Sequence, residues 1–273
     1  MFLSTHNGRG RLTFQGPRDK PVAVWYHRPT TYSLEGPILF ILHGAKRNGR
    51  ECLEHWVRES EKRGALAVAP EFRSRHYPGV YGYNLGGVLS ENGDIRSRSD
   101  WSYWTLERLF DAILIATGSR ASYYLAYGHS AGAQFLCRAL LLGCLCRVER
   151  VVAANAGWYT LPSFSSDFPY GLRGLEERDY RRQAFRKHLL ILLGEEDNVP
   201  DKNFRQMPQA MEQGRNRLER GKYAYSVGAE TAGIMGESFN WSLRSLPNIG
   251  HHSPSMVPTA ADWLFASGTE GDS

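Results

Sequence analysis

The chain has 273 residues, of which 42% are hydrophobic, 22% charged and 12% aromatic, with a formal net charge of +5. That balance suits a globular α/β protein of one large domain and excludes disorder over the bulk of the chain. No apolar run approaches the ~18 residues of a membrane-spanning helix, and the N-terminus lacks a basic segment followed by an apolar one, so no export signal is expected.

Residues 22–27 alternate and are aromatic-rich, which predicts a strand. The run Ile38-Leu39-Phe40-Ile41-Leu42 is continuously apolar, as in a central strand buried on both faces. It stops at His43-Gly44. A helix is predicted over 50–63, closed by Gly64, and a short buried strand over 65–69. Residues 70–103 read as a long Gly-, Tyr- and Arg-rich loop. Next come a helix over 104–117, a strand over 123–127, a helix over 131–142 and a strand over 148–154. Residues 158–174 read as a Pro/Ser/aromatic loop and 175–186 as a charged helix. A strand over 189–193, a helix over 204–220, a strand over 239–246 and a helix over 253–265 complete the series. The tail 267–273 is expected to fray. Strands alternating with helices predict a doubly wound, mostly parallel sheet of about eight strands in a single domain spanning 1–273, with insertions near 70–103 and 158–175.

Cys52, Cys137, Cys144 and Cys146 have neither zinc-ligand nor CxxC spacing. Together with the lack of an export signal they make the cytoplasm the expected compartment. No His/Asp/Glu set has ligand spacing and no phosphate-cradling motif occurs, so neither metal nor cofactor is expected. The positive charge raises nucleic acid as a partner, but no helix-turn-helix, zinc or RNA motif accompanies it. The densest basic runs, 178–187 and 215–222, read as solvated helix faces. Partners are therefore expected to be small molecules or oligomers, with neither nucleic acid nor a membrane span.

Chemistry concentrates at strand ends. Gly128-His129-Ser130-Ala131-Gly132 fits G-x-S-x-G between a predicted strand and a predicted helix, the context of a nucleophile elbow. Glycines two residues either side let strand and helix close on one another. Ser130 is lifted above the sheet, and the N–H of Ala131 is aimed at the same spot.

On these residues the chain resembles the α/β-hydrolase family over about 22–265. The family's order of serine, acid and histidine places both partners downstream of Ser130. Asp197, after the strand at 189–193, is the best match for the acid, with Glu195, Glu196 and Asp201 as alternatives. His251, after Gly250, is preferred over His252 as the base. The resemblance implies a second oxyanion N–H on the His43-Gly44-Ala45 loop, at Ala45 with Lys46 as substitute, beside that of Ala131. His43 itself reads as a buried hydrogen-bonding residue. Trp158, Tyr159 and His129 are the candidate substrate contacts. Arg47, Arg73, Arg75, Arg96 and Arg98 fall on loops expected to ring the site and to favour carboxylate-bearing substrates.

A narrower resemblance, carried by Arg47-Asn48-Gly49, Tyr77-Pro78-Gly79 and the elbow, is to bacterial esterases of the polyhydroxyalkanoate-depolymerase and poly(aspartic acid)-hydrolase type. It implies a serine hydrolase of carboxylic esters or related acyl bonds. The alternatives are an amidase or peptidase acting on a polyamide, and a non-catalytic binding protein on the same fold.

Overall fold

The computed structural model describes residues 7–175, 179–202 and 204–266. The eight strands of its sheet are β1 (Gly8–Gln15), β2 (Pro21–Arg28), β3 (Ile38–Leu42), β4 (Leu66–Glu71), β5 (Tyr124–His129), β6 (Val148–Ala154), β7 (His188–Gly194) and β8 (Trp241–Leu246). They lie in the order β1-β2-β4-β3-β5-β6-β7-β8. β1 and β2 are antiparallel to each other and β2 is antiparallel to β4, while β3 to β8 run parallel.

The helices are α1 (Gly49–Arg63), α2 (Gly79–Gly82), α3 (Thr105–Thr117), α4 (Ala131–Leu141), α5 (Arg181–Phe185), α6 (Pro208–Met211), α7 (Arg217–Ile234) and α8 (Ser253–Leu264). Leu39 and Ile41 of β3 pack with Leu53 and Trp56 of α1 and Val257 and Ala260 of α8. Ile38, Phe40 and Leu42 point the other way, into the core that contains α3 and α4. Helices on both faces explain why β3 is apolar at every position rather than at alternate ones.

Three points of the sequence reading need correction. β1 is an edge strand whose residues alternate between half-buried and exposed, and its Gly- and Arg-rich sequence gave no strand signal. The charged helix expected over 175–186 shrinks to α5 among the described residues. The helix expected over 204–220 is instead the short α6 followed by α7, which runs on to Ile234. In α7 the buried residues are Arg217, Arg220, Gly221, Ala224, Gly228 and Ala232. Their spacing is helical, but arginines and small residues stand where large apolar ones signal a buried face. The expected frayed tail, 267–273, lies outside the described residues.

Candidate active site

β5 ends at His129, and Ser130 takes the turn into α4 with φ 57° and ψ −112°. This is left-handed backbone for a non-glycine residue, a strained state that the surroundings must hold in place. The flanking glycines are sterically required. A Cβ on Gly128 would stand 2.4 Å from the backbone carbon of Gly132, and one on Gly132 would stand 2.3 Å from the carbonyl oxygen of Leu42. Strand β3, the elbow and α4 therefore pack backbone on backbone.

The Ser130 hydroxyl lies 3.1 Å from His251 Nε2, and His251 Nδ1 lies 2.7 Å from Asp197 Oδ2. Asp197 follows β7 and is 3% exposed. The loops carrying Asp197 and His251 are fastened to each other. Glu196 N–H donates to the Ile249 carbonyl at 3.0 Å, and a Cβ on Gly194 would collide with that same oxygen at 2.2 Å. Asn155, at the end of β6, joins both loops: its Oδ1 accepts from Gly194 N–H at 2.8 Å and its Nδ2 donates to the Gly250 carbonyl at 3.1 Å. His252 turns away, pairing with Ser255 at 2.8 Å at the start of α8. Among the alternative acids, Asp201 is ion-paired to Arg217 at 2.9 Å.

Gly44 lies against the nucleophile, since a Cβ there would be 3.8 Å from that of Ser130. A turn closed by Arg47 N–H on the Gly44 carbonyl at 3.2 Å leaves Ala45 and Lys46 at its exposed tip. His43 is wholly buried. Its Nε2 accepts from Phe72 N–H at 3.0 Å, so the proton sits on Nδ1, which donates to the Gly44 carbonyl at 2.9 Å. Burial pushes its pKa down to about 4, so it holds the loop as a neutral imidazole.

His129 stacks its ring 4.6 Å from that of His251. Burial first, then the neighbouring His251 and Arg217 charges, hold its pKa well below the usual histidine range. Trp158 and Tyr159, candidate substrate contacts in the sequence, are each only 3% exposed. Two guanidinium groups lie over the Trp158 ring, Arg138 at 4.0 Å and Arg205 at 4.9 Å, and the ring also packs on Tyr170. Tyr159 is held through its backbone by Gln213, at 2.9 Å and 2.8 Å. His129 Nε2, Tyr159 OH and Arg217 Nε are buried without a hydrogen-bond partner among the described residues.

Three of the five loop arginines named from the sequence are engaged with other groups. Arg98 donates to the Leu142 carbonyl beyond the far end of α4, roughly 17 Å of helix away from the elbow. Arg73 is paired with Glu71, and Arg47 is spent on the carbonyls of Phe72 and Gly79. The run 215–222, expected to be a solvated face, buries Arg217 and Arg220 instead. Arg217 donates to Asp197 Oδ1 at 3.1 Å. Arg220 binds the carbonyls of Gly214, Gly157 and Arg205. Arg138, on α4, makes no ion pair among the described residues. It donates to Thr160 and Gln134, and burial lowers its pKa to about 10, so it stays charged at neutral pH. Neither Asn155 nor this inner arginine group was foreseen. Arginines at helical spacing with glycine and alanine in 217–232 were the available signal.

Strand order, elbow, and acid and histidine on successive strand ends define an α/β-hydrolase fold. Comparison with solved structures places the chain more closely. It is 35% identical to poly(aspartic acid) hydrolase-1 from Sphingomonas sp. KT-1, over 95% of this chain and 99% of that one, with a TM-score of 0.91. It is 32% identical to LpqC, a poly(3-hydroxybutyrate) depolymerase from Bordetella parapertussis, over 95% and 91% of the two chains, also with a TM-score of 0.91. The chain belongs to the α/β-hydrolase family that these two enzymes share. The S-formylglutathione hydrolase FrmB from Staphylococcus aureus, at 12% identity and a TM-score of 0.60, shares the fold. No protein-family profile and no curated protein sequence matches the chain.

Proposed function

We propose that this protein is a serine hydrolase cleaving a carboxylic ester or related acyl bond through a Ser130–His251–Asp197 triad. The observation that carries the reading is the unbroken line of contacts from the Ser130 hydroxyl through both nitrogens of His251 to Asp197. His251 Nε2 takes the hydroxyl proton as Oγ attacks the acyl carbonyl. Asp197 holds the Nδ1 tautomer and stabilises the imidazolium. The N–H groups of Ala131, at the positive end of α4, and Ala45, on the turn beside Ser130, bind the developing oxyanion. His251 then protonates the leaving group and activates the water that releases the acyl-enzyme.

An amide-cleaving reading, on a polyamide such as poly(aspartic acid), is supported by the 35% identity to a hydrolase of that name and by Arg205. Arg205 rests on Trp158 and Tyr170 and uses only Nε, on the Tyr170 hydroxyl at 2.7 Å. Its terminal nitrogens have no acceptor among the described residues and suit a substrate carboxylate.

The test is a panel of chromogenic esters and amides run with wild type and Ser130→Ala. The expected outcome is ester turnover that falls by on the order of 10⁴-fold or more in the variant, with loss of fluorophosphonate labelling. Full turnover by Ser130→Ala would remove the mechanism, and a preference for amides over matched esters would move the assignment to the second reading.

A further inference from the structure

A cavity of about 510 Å³ lies between the β1–β2 turn and the loop after β4, and none of the triad residues lines it. Its walls bring together three cations, Arg18, Lys20 and Arg96, and one carboxylate, Glu91. Among the described residues none of the three cations makes an ion pair. Lys20 donates to the His76 carbonyl at 2.8 Å and Arg96 to the Leu89 carbonyl at 2.8 Å, while the Arg18 side chain has no acceptor among the described residues. The three are close enough to repel. Burial, then the charges of Arg18 and Arg96, depress the Lys20 pKa, with Glu91 alone opposing.

The segment that delivers two of these cations is itself strained. Arg18 and Asp19 are consecutive non-glycine residues with φ of 59° and 54°, in a turn closed by Gly16 N–H on the Lys20 carbonyl at 2.9 Å. Such backbone costs on the order of 1–3 kcal/mol per residue and concentrates at binding sites. Tyr81, 61% exposed, supplies an apolar rim. Convergent like charges on a strained turn, beside an open cavity, gain stability when an anion enters.

We propose that this cavity is an anion-binding site, separate from the triad, for a multiply charged oxyanion. Arg18 and Arg96 serve as its free donors and Lys20 as its fixed charge. The shared chemistry is a cluster of carboxylates or phosphoryl oxygens, from a free small polyanion or from the distal part of a polyanionic chain whose reacting end lies at Ser130. The two locations are joined physically, because the cavity residue Gly79 accepts from Arg47 at 2.7 Å and Arg47 lies two residues beyond Ala45.

The experiment is calorimetric titration of citrate, and separately of hexa-aspartate, into Ser130→Ala protein at fixed ionic strength. It is repeated with Arg18→Gln alone and with Arg18→Gln/Arg96→Gln added. Arg18 is exposed and its side chain makes no hydrogen bond among the described residues, so its replacement leaves the fold intact. Citrate binding is expected to weaken roughly tenfold per cation removed, while wild-type turnover of a short neutral ester is unchanged by Arg18→Gln. Citrate that fails to bind, or that binds the double variant as tightly as its parent, overturns the site. Competition between citrate and hexa-aspartate supports the site with a polyanionic chain as its source. Citrate binding without competition supports it with a free small polyanion. Neither result depends on Ser130 chemistry, so ester turnover fails or succeeds independently.

Discussion

Asp197 divides its two oxygens between a ring and a guanidinium: Oδ2 faces His251 and Oδ1 accepts from Arg217. Both acid and arginine are nearly sealed from solvent, at 2% and 4% side-chain exposure. A buried carboxylate needs such partners, and removing one leaves the other charge unpaired in a medium that solvates it poorly. Arg217→Met is therefore expected to destabilise the fold by about 3 kcal/mol. It is also expected to lower kcat more than it raises KM, because Asp197 loses the contact that fixes its orientation. Arg217→Lys restores charge without the fork and recovers only part of kcat. Urea unfolding and steady-state kinetics on the two variants check this. Equal kcat in wild type and Arg217→Met would show that Asp197 is oriented by His251 alone.

At the scale of elements, Arg217 is in place because α7 begins there. Asn216 caps the helix by accepting from Glu219 N–H at 2.8 Å, and the Glu219 carboxylate returns to Arg215 N–H at 2.7 Å and to Asn216 Nδ2 at 2.9 Å. The first turn of α7 thereby presents one of its arginines to the acid loop. Asn216→Ala is expected to cost about 1 kcal/mol of stability. Fraying of that turn also loosens Arg217, so kcat falls with stability. Asn216→Ser, whose hydroxyl can accept from Glu219 N–H and donate to the Glu219 carboxylate that Asn216 Nδ2 now meets, is expected to restore both. A thermal melt and a kcat measurement for each variant decide it; unchanged kcat in Asn216→Ala would separate the cap from the site.

For the whole molecule, His43 ties stability to pH. In the unfolded chain its pKa returns to about 6.5, whereas burial holds it at about 4 in the fold. Above pH 6.5 neither state is protonated and the residue contributes no slope. Between 6.5 and about 4 only the unfolded state takes up the proton, so stability falls as pH falls, by up to about 3 kcal/mol. Below about 4 the two states match again. Urea unfolding across this window should show the slope in wild type and a reduced slope in His43→Gln; identical slopes would place the acid sensitivity elsewhere. The residual slope has a second source in His129, whose pKa is also depressed.

What was legible in the sequence is local. A parallel strand buried on both faces has no reason to alternate, so the apolar runs of β3, β5, β7 and the Val151–Ala154 end of β6 announce themselves. The G-x-S-x-G turn carries its own steric logic, and the order of acid and histidine was implied by the resemblance to the α/β-hydrolase family. These determined the fold class and the residues Ser130, Asp197 and His251 as candidates. Three decisions belong to the tertiary structure alone. His251 and His252 are adjacent histidines on one loop, and only the packing of that loop on Gly194 and Asn155 turns the first toward Ser130 and the second toward Ser255. Arg98 and Arg217 are chemically the same residue. One is carried to the far end of α4 and the other into the acid loop by contacts 44 and 20 residues distant in sequence. The buried face of α7 is made of arginine, glycine and alanine. Hydropathy cannot register such a face, because an arginine is buried by the carbonyls and carboxylates it meets, and those are supplied by other parts of the chain.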